Sequence, residues 1–177
     1  PVEAPPVQTL DLDQLAESAT MMIREGNPAG ALESLRAHLP EAAAEHAGCW
    51  RVAAGAMARL DLIDAAINAF EYATDLDATD ASAWFNHGAL KKKTQDLNGA
   101  LDCFQKALGI DSQYAKAANG LALVAVDLGK ADIAIDAFRS LLLIEPTHAS
   151  GLIFAELLID LAEGEGRAIE FDMNLPT

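Results

Sequence analysis

The side chains best suited to catalysis are spread thinly along this chain of 177 residues. It has four histidines and two cysteines, and the closest approach of the two types is the stretch from His46 to Cys49. That is a two-ligand fragment, whereas a structural zinc site takes four ligands. The sequence contains neither a glycine-rich phosphate loop nor a nucleophile elbow. It therefore predicts no active site, no metal site and no cofactor.

The cysteines and histidines have a simpler interpretation as parts of helices. Cys49 and Cys103 are far apart in the sequence and match neither a disulfide framework nor a zinc spacing, so we expect buried, structural thiols. His38 and His87 fall on the packing faces of predicted helices, and the other two histidines fall near predicted helix starts.

Overall charge limits the class of partner. The chain has 12 Lys and Arg against 27 Asp and Glu, a formal net charge of -15. Nucleic acids and anionic membranes require an excess of cations, so neither is an expected partner. The longest apolar run is too short for a membrane span, and a soluble domain is predicted. The opening PVEAPPVQT indicates a Pro-rich linker over residues 1–11, at the edge of a piece of a larger protein or a processed chain.

One amphipathic pattern occurs three times, at 64–77, 98–111 and 132–145. The copies are 34 residues apart, which places Ala66, Ala100 and Ala134 in register and then Phe70, Phe104 and Phe138. Ala and Phe recur at helical spacing, so each copy predicts a helix with one packing face. Another helical stretch precedes each copy, and Trp50 and Trp84 in two of these are again 34 residues apart. The repeating unit is a helix hairpin.

Four hairpins are predicted at about 12–39, 47–77, 81–111 and 115–145, with an incomplete fifth at 149–171. Asp61, Asp80 and Asp96 stand where a side chain could accept hydrogen bonds from the first turn of a helix. Gly129 and Pro146 are placed to end helices.

The 34-residue period resembles the tetratricopeptide repeat, a hairpin with an early Trp and with Ala and Phe in its second helix. The residues that carry the resemblance are Trp50, Trp84, Gly88, Ala66, Ala100, Ala134, Phe70, Phe104, Phe138 and Pro146. It covers residues 12 to about 165 and implies an all-α fold, a right-handed superhelical solenoid of antiparallel helix hairpins. Residues 166–177 are then a C-terminal tail that either covers the apolar end of the array or leaves it to another chain.

The resemblance also implies that the first helix of each hairpin lines a concave surface. Helical spacing groups ten candidate peptide-binding residues on that lining: Arg51, Arg59, Phe85, Asn86, Ala89, Lys92, Lys93, Lys116, Asn119 and Leu123. Five of the ten are cations, which reverses the charge of this acidic protein locally. The opposing interpretation is that the lysines merely end a helix, where its dipole favours cations, and are solvated.

One subclass of tetratricopeptide modules holds the terminal carboxylate of an acidic peptide with Lys, Asn, Asn, Lys and Arg from three successive first helices. The match here is partial: Arg51 replaces the first Lys, and Asn86 and Lys116 match two further positions. Gly55 and Gly120 occupy the other two. Two missing donors should weaken such a clamp.

The sequence therefore predicts a non-catalytic scaffold that binds a protein or peptide, with an acidic segment in the concave groove. Two alternatives stay open. One is an assembly module that forms a homo-oligomer or hetero-complex through the incomplete fifth hairpin. The other is an appendage that positions substrates for a larger enzyme.

Overall fold

The computed structural model describes residues 10–165, and these residues form nine α-helices and no strand. The all-α prediction is confirmed. The helices are α1 (Leu12–Arg24), α2 (Pro28–Arg36), α3 (Ala47–Arg59), α4 (Ile63–Leu76), α5 (Ala81–Lys93), α6 (Leu97–Ile110), α7 (Ala115–Asp127), α8 (Ala131–Ile144) and α9 (Gly151–Glu165). The predicted linker, apart from Leu10 and Asp11, and the predicted tail at 166–177 lie outside the described residues.

Each helix packs against the next one in the chain. The pairs α1–α2, α3–α4, α5–α6 and α7–α8 form the hairpins, and the second helix of each pair packs on the first helix of the following pair. Contacts also join α1 to α3, α3 to α5 and α5 to α7. The four first helices therefore stand side by side and form one wall, which we call the inner wall.

Small and aromatic residues at repeat-related positions build the core. Ala66, Ala100 and Ala134 are fully buried, and Phe70, Phe104 and Phe138 are buried among the helices of their own and neighbouring hairpins. A Cβ atom added at Gly88 or at Gly120 would lie 3.0 Å from the Phe104 ring. Phe104, on α6, thus packs closely against α5 of its own hairpin and against α7 of the next hairpin.

The hairpin turns also repeat. A residue with positive φ follows the first helix of every complete hairpin: Gly26, Asp61, Gln95 and Gly129. At each turn the following residue donates its N–H five residues back, as from Leu62 to Met57 O at 2.9 Å. This 6→1 bond is that of the Schellman helix ending.

The predicted helix caps were partly wrong. Asp80 and Asp96 accept hydrogen bonds from first-turn amides of α5 and α6, as predicted. Asp61 does not cap α4, because it adopts the left-handed conformation of the turn at φ 60°. Leu62 precedes α4 instead, and its side chain makes no capping hydrogen bond. In the 34-residue register Asp61 is equivalent to Gln95, which also has a positive φ, and Leu62 is equivalent to Asp96. The capping position before α4 is therefore one residue later than predicted.

None of the helices in residues 10–165 combines the length and the apolar character that crossing a bilayer requires.

Candidate functional site

Several cavities open along the inner wall, and two of them together contain all ten residues predicted from the sequence. The α3–α5 cavity, of about 520 Å³, is lined by residues of α3 and α5 and by Thr20 and Ile23 of α1. The α5–α7 cavity, of about 420 Å³, is lined by residues of α5 and α7 and by Glu145 and His148, which follow α8. Ala89 lines both cavities. The two are therefore parts of one surface, which we call the groove.

All ten sequence-predicted residues line the groove. The α3–α5 cavity contains Arg51, Arg59, Asn86, Ala89 and Lys93. The α5–α7 cavity contains Phe85, Ala89, Lys92, Lys116, Asn119 and Leu123. Three different hairpins contribute these side chains, so the stacking of hairpins brings together residues that are distant in the sequence. Their role in binding stays a prediction.

Two of the five groove cations are paired with carboxylates of the protein itself. Arg51 Nε lies 2.9 Å from Asp80 Oδ2, and Lys93 Nζ lies 2.8 Å from Asp61 Oδ1. The hydrogen bond and the positive charge of Lys93 hold the pKa of Asp61 below its usual value. Each pair joins one hairpin to the next, so these cations are held in position but partly neutralised.

The Arg51 side chain is also fixed through a helix cap. Asp80 Oδ1 accepts hydrogen bonds from the backbone amides of Ser82 and Ala83, which secures the start of α5. The other carboxylate oxygen, Oδ2, faces Arg51. One aspartate thus caps α5 and orients a groove cation on α3.

The remaining three groove cations are more available. Within residues 10–165, Arg59, Lys92 and Lys116 form no ion pair. Arg59 and Lys116 are exposed, and Lys92 is partly buried. Since a Lys or Arg donates charge-assisted hydrogen bonds to carboxylates, these three side chains are the ones best placed to meet an anionic ligand.

The two asparagines of the groove differ in their hydrogen bonding. Asn119 Oδ1 accepts a hydrogen bond from Ser150 Oγ at 2.7 Å, which ties α7 to the segment before α9. The Asn86 side chain is exposed, and among the described residues it takes part in no hydrogen bond. Asn86 can therefore offer both a donor and an acceptor to a ligand, whereas the oxygen of Asn119 is engaged.

An aromatic platform forms the apolar part of the groove. The Phe85 ring lies 5.7 Å from the Phe104 ring and 5.2 Å from the Tyr114 ring, tilted against both. Burial raises the pKa of Tyr114, and the charges of Asp80 and Asp111 raise it further. Leu123 and Ala89 extend the surface. Packing from two sides holds Phe85 in place, so it can bind an apolar side chain without reorganising.

Helix α1 also contributes to the groove, through Thr20 and Ile23, which were not among the predicted residues. Thr20 occupies the same repeat position as Gly55, Ala89 and Leu123, with a step of 35 residues and then two of 34. Extending the register across the one-residue insertion between the first two hairpins would have found it. Glu145 and His148 had no such signal, because they belong to the irregular segment between α8 and α9.

Nucleophilic and metal-binding groups are not concentrated at the groove. Cys49 and Cys103 are buried, as predicted, and burial raises the pKa of the Cys103 thiol to about 11. The described residues include no group of three or more His, Cys, Asp and Glu that could hold a metal ion. The groove is lined by cations, amide groups and apolar side chains.

Comparison with known proteins agrees with this architecture. A family model of the tetratricopeptide repeat matches residues 81–114, the hairpin of α5 and α6. No curated protein is significantly similar to the chain in sequence. Among solved structures the chain is similar to MamA, with 22% identity and a TM-score of 0.70 over 89% of this chain and 86% of that one.

Two further proteins of the same fold have a peptide-binding site or a bound peptide. YrrB, "a TPR protein with an unusual peptide-binding site", is 18% identical with a TM-score of 0.76, over 88% of this chain and 80% of that one. The first tetratricopeptide module of Spaghetti (RPAP3), bound to the HSP90 peptide SRMEEVD, is 17% identical with a TM-score of 0.61, over 66% and 93%. The chain is thus built as a tetratricopeptide solenoid, as the sequence predicted.

Proposed function

We propose that this tetratricopeptide solenoid is a protein-interaction module that binds a peptide segment with acidic side chains in its groove. One observation carries the proposal. On a chain of net charge -15, five of the twelve Lys and Arg lie along one groove, and three of them form no ion pair within the described residues. These three cations attract carboxylates, which the net negative charge of the chain otherwise repels.

The arrangement of groove residues suits a mixed ligand. Arg59 lies at the far end of α3, and Lys92 and Lys116 lie around the Phe85 platform. A ligand carboxylate beside one of these cations would gain a charge-assisted hydrogen bond, worth up to about 1 kcal/mol at a solvent-exposed position. An apolar ligand side chain would rest on Phe85 and Leu123. We therefore propose a segment in which acidic and apolar residues are close together.

The similar structures support peptide binding as a class of function. One of them is described as having a peptide-binding site, and another holds SRMEEVD, a peptide with two glutamates and an aspartate. Here, however, a side chain at Gly120 would meet Phe104 at 3.0 Å, so the arginine of a complete carboxylate clamp has no room without a shift of that ring. The groove is better suited to acidic side chains along a segment than to a terminal carboxylate.

A panel of fluorescein-labelled heptapeptides tests the proposal. The panel contains SRMEEVD, acidic sequences with apolar positions, and copies with every acidic residue replaced by lysine. Fluorescence anisotropy should show binding of acidic members only, and this binding should weaken as salt shortens the Debye length from about 10 Å at 0.1 M to about 3 Å at 1 M. Equal binding of the lysine copies would refute an acid-selective groove.

Matched lysine variants locate the binding. Lys116→Ala removes an available cation of the groove and should weaken binding about fivefold, since the lost contact is worth about 1 kcal/mol. Lys106→Ala is the control. Lys106, on α6, lies over the ring of Trp84 on α5 and lines neither groove cavity. Equal losses in both variants would mean that net charge, and not the groove, governs binding.

A second candidate function is assembly with another chain through the C-terminal end. Two side chains there favour it, since Leu143 is 85% exposed and Leu152 is 76% exposed. Light scattering should then show a mass that rises with concentration, and Leu143→Ser together with Leu152→Ser should abolish the rise. A constant monomeric mass at high concentration would exclude self-assembly through this end.

A further inference from the structure

Helix α9 begins a fifth repeat unit, and one of its faces completes the core of the fourth. The Phe154 ring stacks on the Phe138 ring of α8, with 5.3 Å between the two ring centroids. Leu157 packs against the same core cluster. Among the described residues no helix follows α9, so the face of α9 opposite Phe154 has no second helix of its own hairpin beside it in that part of the chain.

The open face of α9 begins with Leu152, which is equivalent to Trp50 and Trp84 in the 34-residue register. The Trp50 ring lies 4.9 Å from the Tyr72 ring of α4, and the Trp84 ring lies 3.9 Å from Lys106 Nζ of α6. In both hairpins the second helix therefore covers this position. Leu152 is 76% exposed.

Two further positions on this face show the same contrast. Ala155 is equivalent to Ala53, His87 and Leu121, all of which are buried, yet Ala155 is exposed. Ile159, one turn further along α9, is half exposed. Leu152, Ala155 and Ile159 are spaced i, i+3 and i+7, so they form one apolar stripe along the helix.

Carboxylates flank the stripe. Glu156 and Glu163 follow Leu152 and Ile159 by four residues, which makes them neighbours on the helix surface, and Asp160 lies one turn after Glu156. All three acidic side chains are exposed, and the sequence of α9 contains no Lys, Arg or His. We call this stripe with its carboxylates the end surface: Leu152, Ala155, Glu156, Ile159, Asp160 and Glu163.

We propose that the end surface binds an amphipathic helix of a partner protein, with an apolar stripe flanked by Lys and Arg. The inference rests on the second candidate function, assembly through the C-terminal end, and names the partner. The bound helix takes the place that a second helix holds in the complete hairpins. Its apolar residues cover Leu152 and Ile159, and its cations pair with the three carboxylates. The contact of Lys106 with Trp84 is an example within this protein of a lysine covering that place.

Charge disfavours the two other possible occupants. A second copy of the chain would bring a net charge of -15, and pairing of α9 with α9 would place the same three carboxylates on both sides. The residues after α9 contain Arg167 but also Glu170 and Asp172, so they supply no excess of cations. A basic helix gains attraction where these two occupants meet repulsion.

Three fluorescein-labelled peptides test the partner chemistry. The first has leucines at i, i+3, i+4 and i+7 spacing with lysines at the flanking positions. The second has glutamate in place of lysine, and the third keeps the lysines but has serine in place of leucine. Fluorescence anisotropy should show that the parent protein binds the first peptide and neither of the others. Equal binding of the first and third peptides would overturn the inference, because charge alone would then explain it.

Matched double variants locate the binding. Glu156→Gln with Asp160→Asn should weaken binding of the lysine–leucine peptide about fivefold, as expected for the loss of two exposed ion pairs. Glu71→Gln with Asp75→Asn is the control, because it removes the same charge from exposed positions of α4 with the same spacing. Equal losses in the two variants would mean that net charge governs binding and that the end surface is not the site.

A thiol on the end surface distinguishes the occupants. Leu152→Cys supplies it, since Cys49 and Cys103 are buried. A maleimide dye should label this thiol rapidly in dilute protein, and the lysine–leucine peptide should slow the labelling at least fivefold. Slow labelling at every protein concentration would mean that residues 166–177 cover the surface, and the inference would be wrong.

The dependence on protein concentration separates the inference from the function on which it rests. If labelling slows only as the protein concentration rises, a second copy binds there, so assembly through this end stands and the basic partner is wrong. If labelling stays fast at every concentration and the lysine–leucine peptide does not slow it, the assembly function and the inference both fail. Neither result affects the acidic-peptide groove, which is a different surface.

Discussion

His87 offers the sharpest test of the packing. It lies on α5 with only 3% of its surface exposed, and neither ring nitrogen has a hydrogen-bond partner among the described residues. Burial and, to a smaller extent, the charge of Lys91 together lower its pKa from 6.5 to about 4, against the opposing effect of Glu71. The imidazole is therefore neutral in the folded protein at neutral pH, and its two nitrogens are buried without compensation.

The pH dependence of stability follows from this shift. The folded-state pKa lies below the unfolded one, so the unfolded chain takes up the proton first as the pH falls. The free energy of unfolding is then fully retained above pH 6.5 and declines between about pH 6.5 and 4. A difference of 6.5 - 4 = 2.5 units at 1.36 kcal/mol per unit corresponds to about 3 kcal/mol as an order of magnitude.

The perturbation is His87→Leu, which replaces the imidazole with an apolar group of similar size. Removing two unsatisfied buried polar atoms should raise the free energy of unfolding at pH 7 by about 1 kcal/mol. More tellingly, the variant should lose about 3 kcal/mol less than the parent protein between pH 7 and pH 4. Urea unfolding followed by circular dichroism at several pH values measures both quantities.

Comparison of the two proteins removes the contribution of the carboxylates, which titrate in both. If the two stability curves run parallel between pH 7 and 4, His87 does not titrate as a buried, unpartnered base, and the reasoning is refuted. The variant could also be less stable than the parent protein at pH 7 while its free energy of unfolding changes less with pH. That result would show that the imidazole packs better than leucine at this site.

The remaining predictions concern the turns and the core. Gln95 has a φ of 67°, a conformation that glycine adopts more readily. Gln95→Gly should therefore raise the free energy of unfolding, measured by urea titration, by about 0.5–1 kcal/mol. The control, Gln105→Gly inside α6, should lower it. Asp61→Gly relaxes the equivalent turn but frees Lys93, so it should tighten acidic-peptide binding measured by anisotropy; unchanged affinity would mean that Lys93 does not reach the ligand. Gly88→Ala forces a methyl group to within 3.0 Å of Phe104 and should lower the free energy of unfolding by about 1–3 kcal/mol, with a lower melting temperature as the readout.

Much of the fold could be predicted because it is local and repeated. Ala and Phe at helical spacing define a packing face within one helix, and the recurrence of that face every 34 residues shows that each hairpin packs on its neighbours. The same regularity placed Arg51, Asn86 and Lys116 on one wall. The Asp61 cap failed because the prediction considered residue type and not the register, in which Asp61 is equivalent to the turn residue Gln95 and Leu62 to the capping Asp96.

The sequence by itself predicted the helices and their pairing, since these follow from spacings within and between similar units, and the resemblance to the tetratricopeptide repeat implied the inner wall. Only the tertiary structure decided which groove cations are available. Arg51 and Lys93 meet Asp80 and Asp61 of adjacent hairpins, and Asn119 meets Ser150, because the hairpins stack at one particular offset. Periodicity describes one element at a time, whereas an ion pair or an empty volume depends on where two elements stand relative to each other.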